Sequence, residues 1–119
     1  MTKVLLVDDV YTARSMIGRV LHHVGRYEVY SVNSGSDALA FADLNTMDVI
    51  ILDISMAGMD GLATLHTLRT HGVRCPVVAY TARSEQDLGE FVSQGFSAYV
   101  PKNGNLSELL ATLRDLIGR

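Results

Sequence analysis

Residues 48–53, Asp48-Val49-Ile50-Ile51-Leu52-Asp53, place four consecutive apolar side chains directly before an aspartate. A short and nearly continuous apolar run is typical of a strand that is buried on both faces of a sheet. Similar runs, rich in Val, Ile and Tyr, recur along the chain. Together they predict five strands, at Lys3–Val7, Glu28–Val32, Asp48–Leu52, Pro76–Tyr80 and Ser97–Pro101.

Segments with helical periodicity separate these strands. Apolar residues return there at intervals of three and four, as in Ala13, Ile17, Val20, Leu21 and Val24, or Leu106, Leu109, Leu110, Leu113 and Ile117. Apolar strands that alternate with amphipathic helices lie parallel, because right-handed crossovers place helices on both faces of the sheet. The sequence therefore predicts a three-layer, doubly wound α/β domain.

The predicted helix boundaries follow from capping residues. Ser84 and Asn105 are each followed by an acid three residues later, which is typical of a helix start. Helix ends are predicted near Gly25, Gly72 and Gly95, because glycine tolerates the left-handed backbone that often closes a helix.

Composition limits the class of protein. The chain has 119 residues, of which 48% are hydrophobic, so we expect one domain over residues 1–119. Its net charge is -3 and its ten Lys and Arg residues are scattered, which disfavours direct binding to nucleic acid. No apolar run is long enough to span a membrane. The single cysteine, Cys75, fits a reducing compartment, so a cytoplasmic location is expected.

Polar residues follow four of the five predicted strands. Asp8 and Asp9 come after the first strand, Asp53 after the third, Thr81 after the fourth, and Lys102 after the fifth. The carboxyl ends of parallel strands meet at one edge of a sheet, where ligands of such folds bind. We therefore expect these five side chains to form one site.

The chemistry of this set favours phosphoryl transfer. Clustered carboxylates repel one another unless a cation intervenes, and oxygen ligands without His or Cys favour Mg²⁺. Asp53 is the candidate nucleophile, because a carboxylate can carry phosphate as an acyl phosphate. Lys102 and Thr81 would supply a positive charge and a hydroxyl for the phosphoryl oxygens.

At this point the sequence resembles the receiver domain of two-component response regulators. The resemblance rests on residues 4–9 (VLLVDD), 48–53 (DVIILD) and 56–61 (MAGMDG), together with Thr81-Ala82 and Lys102, in order and at helix-length spacing. It covers essentially the whole chain. It implies the flavodoxin-like receiver fold, a five-stranded parallel sheet of order 2-1-3-4-5 flanked by five helices.

The resemblance also implies roles that the residues alone do not give. Asp9 would bind Mg²⁺ directly, Asp8 would act through water, and the Ser55 backbone carbonyl would complete the protein ligands. Thr81 would move toward the phosphate while Tyr99 turns inward. That switch would change the face of the predicted fourth helix, fifth strand and fifth helix, where a downstream effector protein would bind.

The implied function is a switch and not a turnover enzyme, although the domain would participate in its own phosphorylation and dephosphorylation. Asp53 would accept phosphate from a histidine kinase or a histidine phosphotransfer protein. One alternative is a phosphorylation-independent scaffold, because Ala57 and Asn103 stand where the family usually has proline. Another is a Mg²⁺-dependent phosphatase with an aspartyl nucleophile, but Ser55 stands where its second acid would be needed.

Simpler roles remain open for several of these residues. Asp8 and Asp9 could cap the first helix, and Thr81 could cap the fourth. Tyr99 could be a permanent core aromatic. The four histidines show no ligand spacing and are predicted to be solvated, at His22, His23, His66 and His71.

Overall fold

The structure is a computed structural model that describes residues 1–54, 61–82, 95–102 and 106–118. Its centre is a five-stranded, all-parallel sheet in the order β2-β1-β3-β4-β5, which confirms the predicted sheet. The strands are β1 (Lys3–Val7), β2 (Glu28–Val32), β3 (Val49–Asp53), β4 (Val77–Thr81) and β5 (Ala98–Pro101).

Four α-helices flank the sheet within the described ranges. They are α1 (Tyr11–His23), α2 (Gly35–Ala40), α3 (Gly61–Thr70) and α4 (Ser107–Ile117), and a 3-10 turn covers Leu44–Thr46. The predicted fourth helix, with its start at Ser84, lies outside the described residues, so α4 corresponds to the fifth predicted helix. None of the described helices is long and apolar enough to cross a bilayer.

Both faces of the sheet are covered, as the apolar strand pattern predicts. On one face, Leu5 and Ile50 belong to a buried cluster with Leu65 of α3. On the other face, a second cluster joins strand residues to α1 and α4, with members that include Val4, Ile51, Ile17, Leu21, Leu109 and Leu113. Two fully covered faces leave the strand ends as the place where polar side chains can gather.

Three strands, β3, β4 and β5, differ from the prediction by one residue at one or both ends. Asp53 and Thr81 are the last residues of β3 and β4, whereas the sequence placed each just after its strand. The difference arises because the parallel ladder continues for one more pair, with Asp53 opposite Tyr80 and Thr81 opposite Pro101. Both side chains are therefore held by the sheet itself, which fixes their positions more firmly than a loop would.

The predicted helix ends are confirmed at α1 and α3, with one correction. Gly72 has the left-handed backbone expected after α3, with φ of 91°. After α1, however, the left-handed residue is Arg26, with φ of 63°. Gly25 is needed for space, because a Cβ there would lie 2.5 Å from the Tyr27 ring. Of the remaining predicted boundary residues, Asn105 and the helix end before Gly95 lie outside the described residues.

Candidate functional site

The carboxyl edge of the sheet brings three of the predicted residues into direct contact. The Lys102 Nζ atom lies 2.8 Å from Asp53 Oδ2 and 3.1 Å from Asp8 Oδ2, although Lys102 and Asp8 are 94 residues apart in sequence. Both carboxylates are buried, and the lysine side chain is 21% exposed. The site is a partly dry ion-pair network that opens to solvent.

The backbone of β1 and the loop after it position Asp8. Its Oδ1 accepts a hydrogen bond from the Val10 backbone N–H at 2.9 Å, and its own backbone N–H donates to the Val32 carbonyl of β2. Helix α1 starts at Tyr11 without a side-chain cap, so the capping role considered for Asp8 and Asp9 is wrong. Asp9 is exposed and faces the open side of the site.

Three carboxylates form a group that can hold a metal ion. One oxygen each from Asp8, Asp9 and Asp53 lie within 4.8 Å of one another. Opposite ligands of an octahedral Mg²⁺ site are about 4.2 Å apart, given bonds of about 2.1 Å, so the group needs little rearrangement to bind this ion. The all-oxygen donor set and the exposed Asp9 fit a hard ion that keeps several waters.

Lys102 neutralises part of this negative charge. Partial burial lowers the pKa of its ammonium, but the hydrogen bonds and charges of Asp53 and Asp8 outweigh burial and raise the pKa above its usual value. The Lys102 backbone N–H also donates to the Thr81 carbonyl at 2.7 Å, which extends the pairing of β4 and β5 beyond the last strand residue. The arrangement presents one cation beside a buried carboxylate that can act as a nucleophile.

Comparison with known proteins decides the family. The family model described as the response regulator receiver domain matches residues 4–114. The chain belongs to this family. Receiver domains are parts of the response regulators of two-component systems. A curated relative, the transcriptional regulatory protein TrcR of Mycobacterium tuberculosis, is 36% identical over 118 residues, which cover 98% of this chain and 46% of TrcR.

Solved structures show the same fold as this receiver domain. The receiver domain of Francisella response regulator 1452 has a TM-score of 0.87 at 28% identity, and the match covers 100% of this chain and 98% of that one. Response regulator TrrA of Thermotoga maritima, in complex with Mg²⁺-BeF, has a TM-score of 0.83 at 28% identity, and the match covers 98% of this chain and 99% of TrrA. This receiver domain spans about half the length of the curated relatives it matches.

Of the remaining predicted site residues, two are buried in strands and the others lie outside the described residues. Thr81 is fully buried at the end of β4, next to the strand that leads to Lys102. Tyr99 is 8% exposed and belongs to the buried cluster on the α3 side of the sheet, so its ring already lies inward. Ser55, Ala57 and Asn103 lie outside the described residues.

Two residues at the site were missed by the sequence reasoning. Arg14 of α1 donates from Nη1 to the Asp8 backbone carbonyl at 2.8 Å, and so ties the helix to the acidic loop. The Tyr80 ring has its centroid 5.6 Å from Lys102 Nζ. Burial, partly offset by the Lys102 charge, raises the pKa of the Tyr80 hydroxyl. Tyr80 could have been predicted from its position in the sequence, because it directly precedes Thr81 on the strand that pairs with β3.

The histidines do not take part in the described site. All four are exposed, and none joins the carboxylate group within the described residues. His22 Nδ1 lies 3.0 Å from the Tyr27 carbonyl oxygen, and His71 Nδ1 lies 2.8 Å from that of Thr67. These are local contacts at helix ends, in agreement with the solvated roles predicted from their spacing.

Proposed function

We propose that this receiver domain accepts a phosphoryl group on Asp53 in a Mg²⁺-dependent reaction and thereby changes its partner-binding surface. One observation carries the proposal. The buried Asp53, at the end of β3, lies beside the carboxylates of Asp8 and Asp9 and accepts a hydrogen bond from the Lys102 ammonium. A buried structural ion pair needs one acid for one base, whereas this cluster has an excess of two negative charges. That excess suits a divalent cation.

The phosphoryl transfer itself needs few protein groups. An Asp53 carboxylate oxygen attacks phosphorus, the new O–P bond forms as the donor's P–N bond breaks, and the electron pair stays on the donor nitrogen. Mg²⁺, held by Asp9 and Asp53 directly, by Asp8 through water and by the Ser55 carbonyl, would supply charge neutralisation for the phosphoryl oxygens when bound. Lys102 moves from Asp53 Oδ2 to a phosphoryl oxygen and so keeps an anionic partner.

The switch that follows uses residues of β4 and β5. The Thr81 hydroxyl donates to a phosphoryl oxygen, which pulls the segment after β4 toward the site. In the switched state Tyr99 lies inward. The surface that changes is formed by the predicted fourth helix of the expected five-helix arrangement, together with β5 and α4. Phosphate shifts the population between two conformations only as far as they differ in affinity for it.

The proposed partners follow from the chemistry of donor and surface. A histidine kinase or histidine phosphotransfer protein supplies the phosphoryl group, and a downstream effector reads the β5 and α4 face. The proposal includes a cytoplasmic location, which the single half-buried thiol of Cys75 supports. It includes no direct contact with nucleic acid, because the net charge is -3.

Intact mass spectrometry tests the proposal. The protein is incubated with MgCl2 and phosphoramidate, a small donor with a P–N bond, and we expect one adduct of about 80 Da on the wild type. Asp53→Asn abolishes the adduct, and so does EDTA. The matched control is Asp48→Asn, which removes a carboxylate at the opposite end of β3, where it accepts from the Lys3 N–H, and keeps the adduct.

Three outcomes would contradict the proposal. An unmodified wild type would favour the phosphorylation-independent scaffold. Continuous release of phosphate from unrelated phosphate esters would favour the phosphatase. An adduct that survives Asp53→Asn would assign phosphorylation to another residue.

A further inference from the structure

Lys102 has an aromatic neighbour in addition to its two carboxylate partners. Its ammonium nitrogen lies 5.6 Å from the centroid of the Tyr80 ring, within the range of cation–π attraction. Tyr80 lies directly opposite Asp53 in the β3–β4 ladder, and paired residues of neighbouring strands project to the same face of the sheet. The ring, the carboxylate and the ammonium therefore share one small region.

The Tyr80 ring is held in place by the core. Its side chain is 2% exposed and belongs to the buried cluster that joins the sheet to α1 and α4. A ring packed among such residues does not change rotamer without disturbing the core. Lys102, in contrast, has a long side chain that loses conformational entropy when it is held in one position.

We propose that Tyr80 is a positioning residue for Lys102: its buried ring keeps the ammonium at the phosphoacceptor site while the carboxylate partners of the lysine change. This inference rests on the proposed function. During the reaction an Asp53 oxygen becomes bonded to phosphorus, and Asp8 would be among the residues that hold Mg²⁺ when it is bound. Both ion pairs seen at 2.8 and 3.1 Å are then altered. The uncharged ring forms no bond to phosphorus and is not a metal ligand, so its contact with Lys102 does not have to break when the carboxylate contacts change.

If Tyr80 affects phosphorylation only through Lys102, its substitution should have little effect once Lys102 is removed. A double-mutant cycle tests this dependence. The rate constant of phosphorylation by phosphoramidate in saturating MgCl2 is measured for the wild type, Tyr80→Leu, Lys102→Met and the double variant. We expect Tyr80→Leu to slow the reaction about three- to tenfold in the presence of Lys102, and by less than about twofold in its absence. Tyr80→Phe retains the aromatic face and restores the rate to within about twofold of the wild type.

An equal loss in both backgrounds would overturn the proposal, because Tyr80 would then act through the fold and not through Lys102. Urea unfolding of each variant shows whether Tyr80→Leu changes the free energy of unfolding. A rate for Tyr80→Leu that equals the wild-type rate would also overturn the proposal.

A second measurement is independent of phosphorylation. The ring current of Tyr80 shifts the ¹H resonances of the Lys102 ε-methylene upfield in the unphosphorylated protein. We expect that shift in the wild type and Tyr80→Phe, and its loss in Tyr80→Leu. If the wild type takes no phosphate but shows the shift, the proposed function fails and the positioning of Lys102 stands. If Tyr80→Leu leaves the Lys102 resonances unchanged, the positioning role is refuted whether or not phosphate is accepted.

Discussion

Replacement of Lys102 by Met tests the electrostatics of the site most directly. The substitution keeps an unbranched side chain of similar length and removes the ammonium that lies 2.8 Å from Asp53 and 3.1 Å from Asp8. In Mg²⁺-free buffer the two buried carboxylates then lose the ammonium that they share. We therefore expect the folded state to lose stability without Mg²⁺ and to recover most of it when Mg²⁺ is added.

The size of the loss follows from burial and distance. Removal of one partner from a buried ion pair costs about 3–5 kcal/mol. The lysine is 21% exposed and the site is open at Asp9, so solvent screening places the expected loss at or just below the lower limit of that range, at about 2–3 kcal/mol. Repulsion between the two carboxylates, which Lys102 no longer offsets, has a similar magnitude, because unit charges 4.8 Å apart repel by about 3.5 kcal/mol at an effective dielectric constant of about 20. A loss of this size lowers Tm by about 10 °C.

Urea unfolding followed by circular dichroism, with EDTA or with MgCl2, measures the loss. Lys3→Met is the matched control, because Lys3 starts β1 at the opposite end of the sheet, and we expect less than about 0.5 kcal/mol there. Adding Asp53→Asn to Lys102→Met restores about half of the lost stability by removing one carboxylate. Equal stability of Lys102→Met and the wild type in EDTA, or an equal loss of stability with and without Mg²⁺, would refute this electrostatic role of Lys102.

Three further predictions concern separate features of the chain. Mg²⁺ at about 100 times its dissociation constant raises the free energy of unfolding by about 2.7 kcal/mol. Asp9→Asn reduces this gain at the same Mg²⁺ concentration, which is measured by following Tm as MgCl2 is added. An unchanged gain would show that Asp9 is not a ligand. Gly25→Ala lowers the free energy of unfolding by about 1–3 kcal/mol, because its Cβ would lie 2.5 Å from the Tyr27 ring. Arg26→Gly raises the free energy of unfolding by about 0.5–1 kcal/mol, because glycine adopts the left-handed backbone at this position without strain. Urea unfolding of both variants shows whether the two changes have opposite signs. Burial raises the pKa of the Cys75 thiol, so less thiolate is present at neutral pH. Alkylation of Cys75 is therefore slower than that of free cysteine, and its rate continues to rise above the pH at which free cysteine is fully ionised. An alkylation rate equal to that of free cysteine at pH 7 would contradict the raised pKa.

Much of the site was accessible from the sequence because its residues stand at strand ends. Asp8, Asp53 and Lys102 each occur at or next to the last residue of an apolar strand, and parallel strands bring such positions to one edge. The contacts of Arg14 with the Asp8 carbonyl and of Tyr80 with Lys102 were not accessible in this way. They depend on which face of a helix or strand a side chain occupies and on the rotamer that packing selects.

Local sequence patterns were sufficient to predict the five strands, the helical segments now seen as α1, α3 and α4, and the parallel character of the sheet. These features follow from local periodicity, since a strand covered on both faces must be apolar at nearly every position. Strand order came from the family resemblance and not from periodicity. The tertiary structure alone decided that the ladder continues through Asp53 and Thr81, that Arg26 and not Gly25 takes the left-handed backbone, and that one ammonium joins carboxylates 49 and 94 residues away. Each of these depends on the register between strands and on close packing, which arise only when distant segments meet.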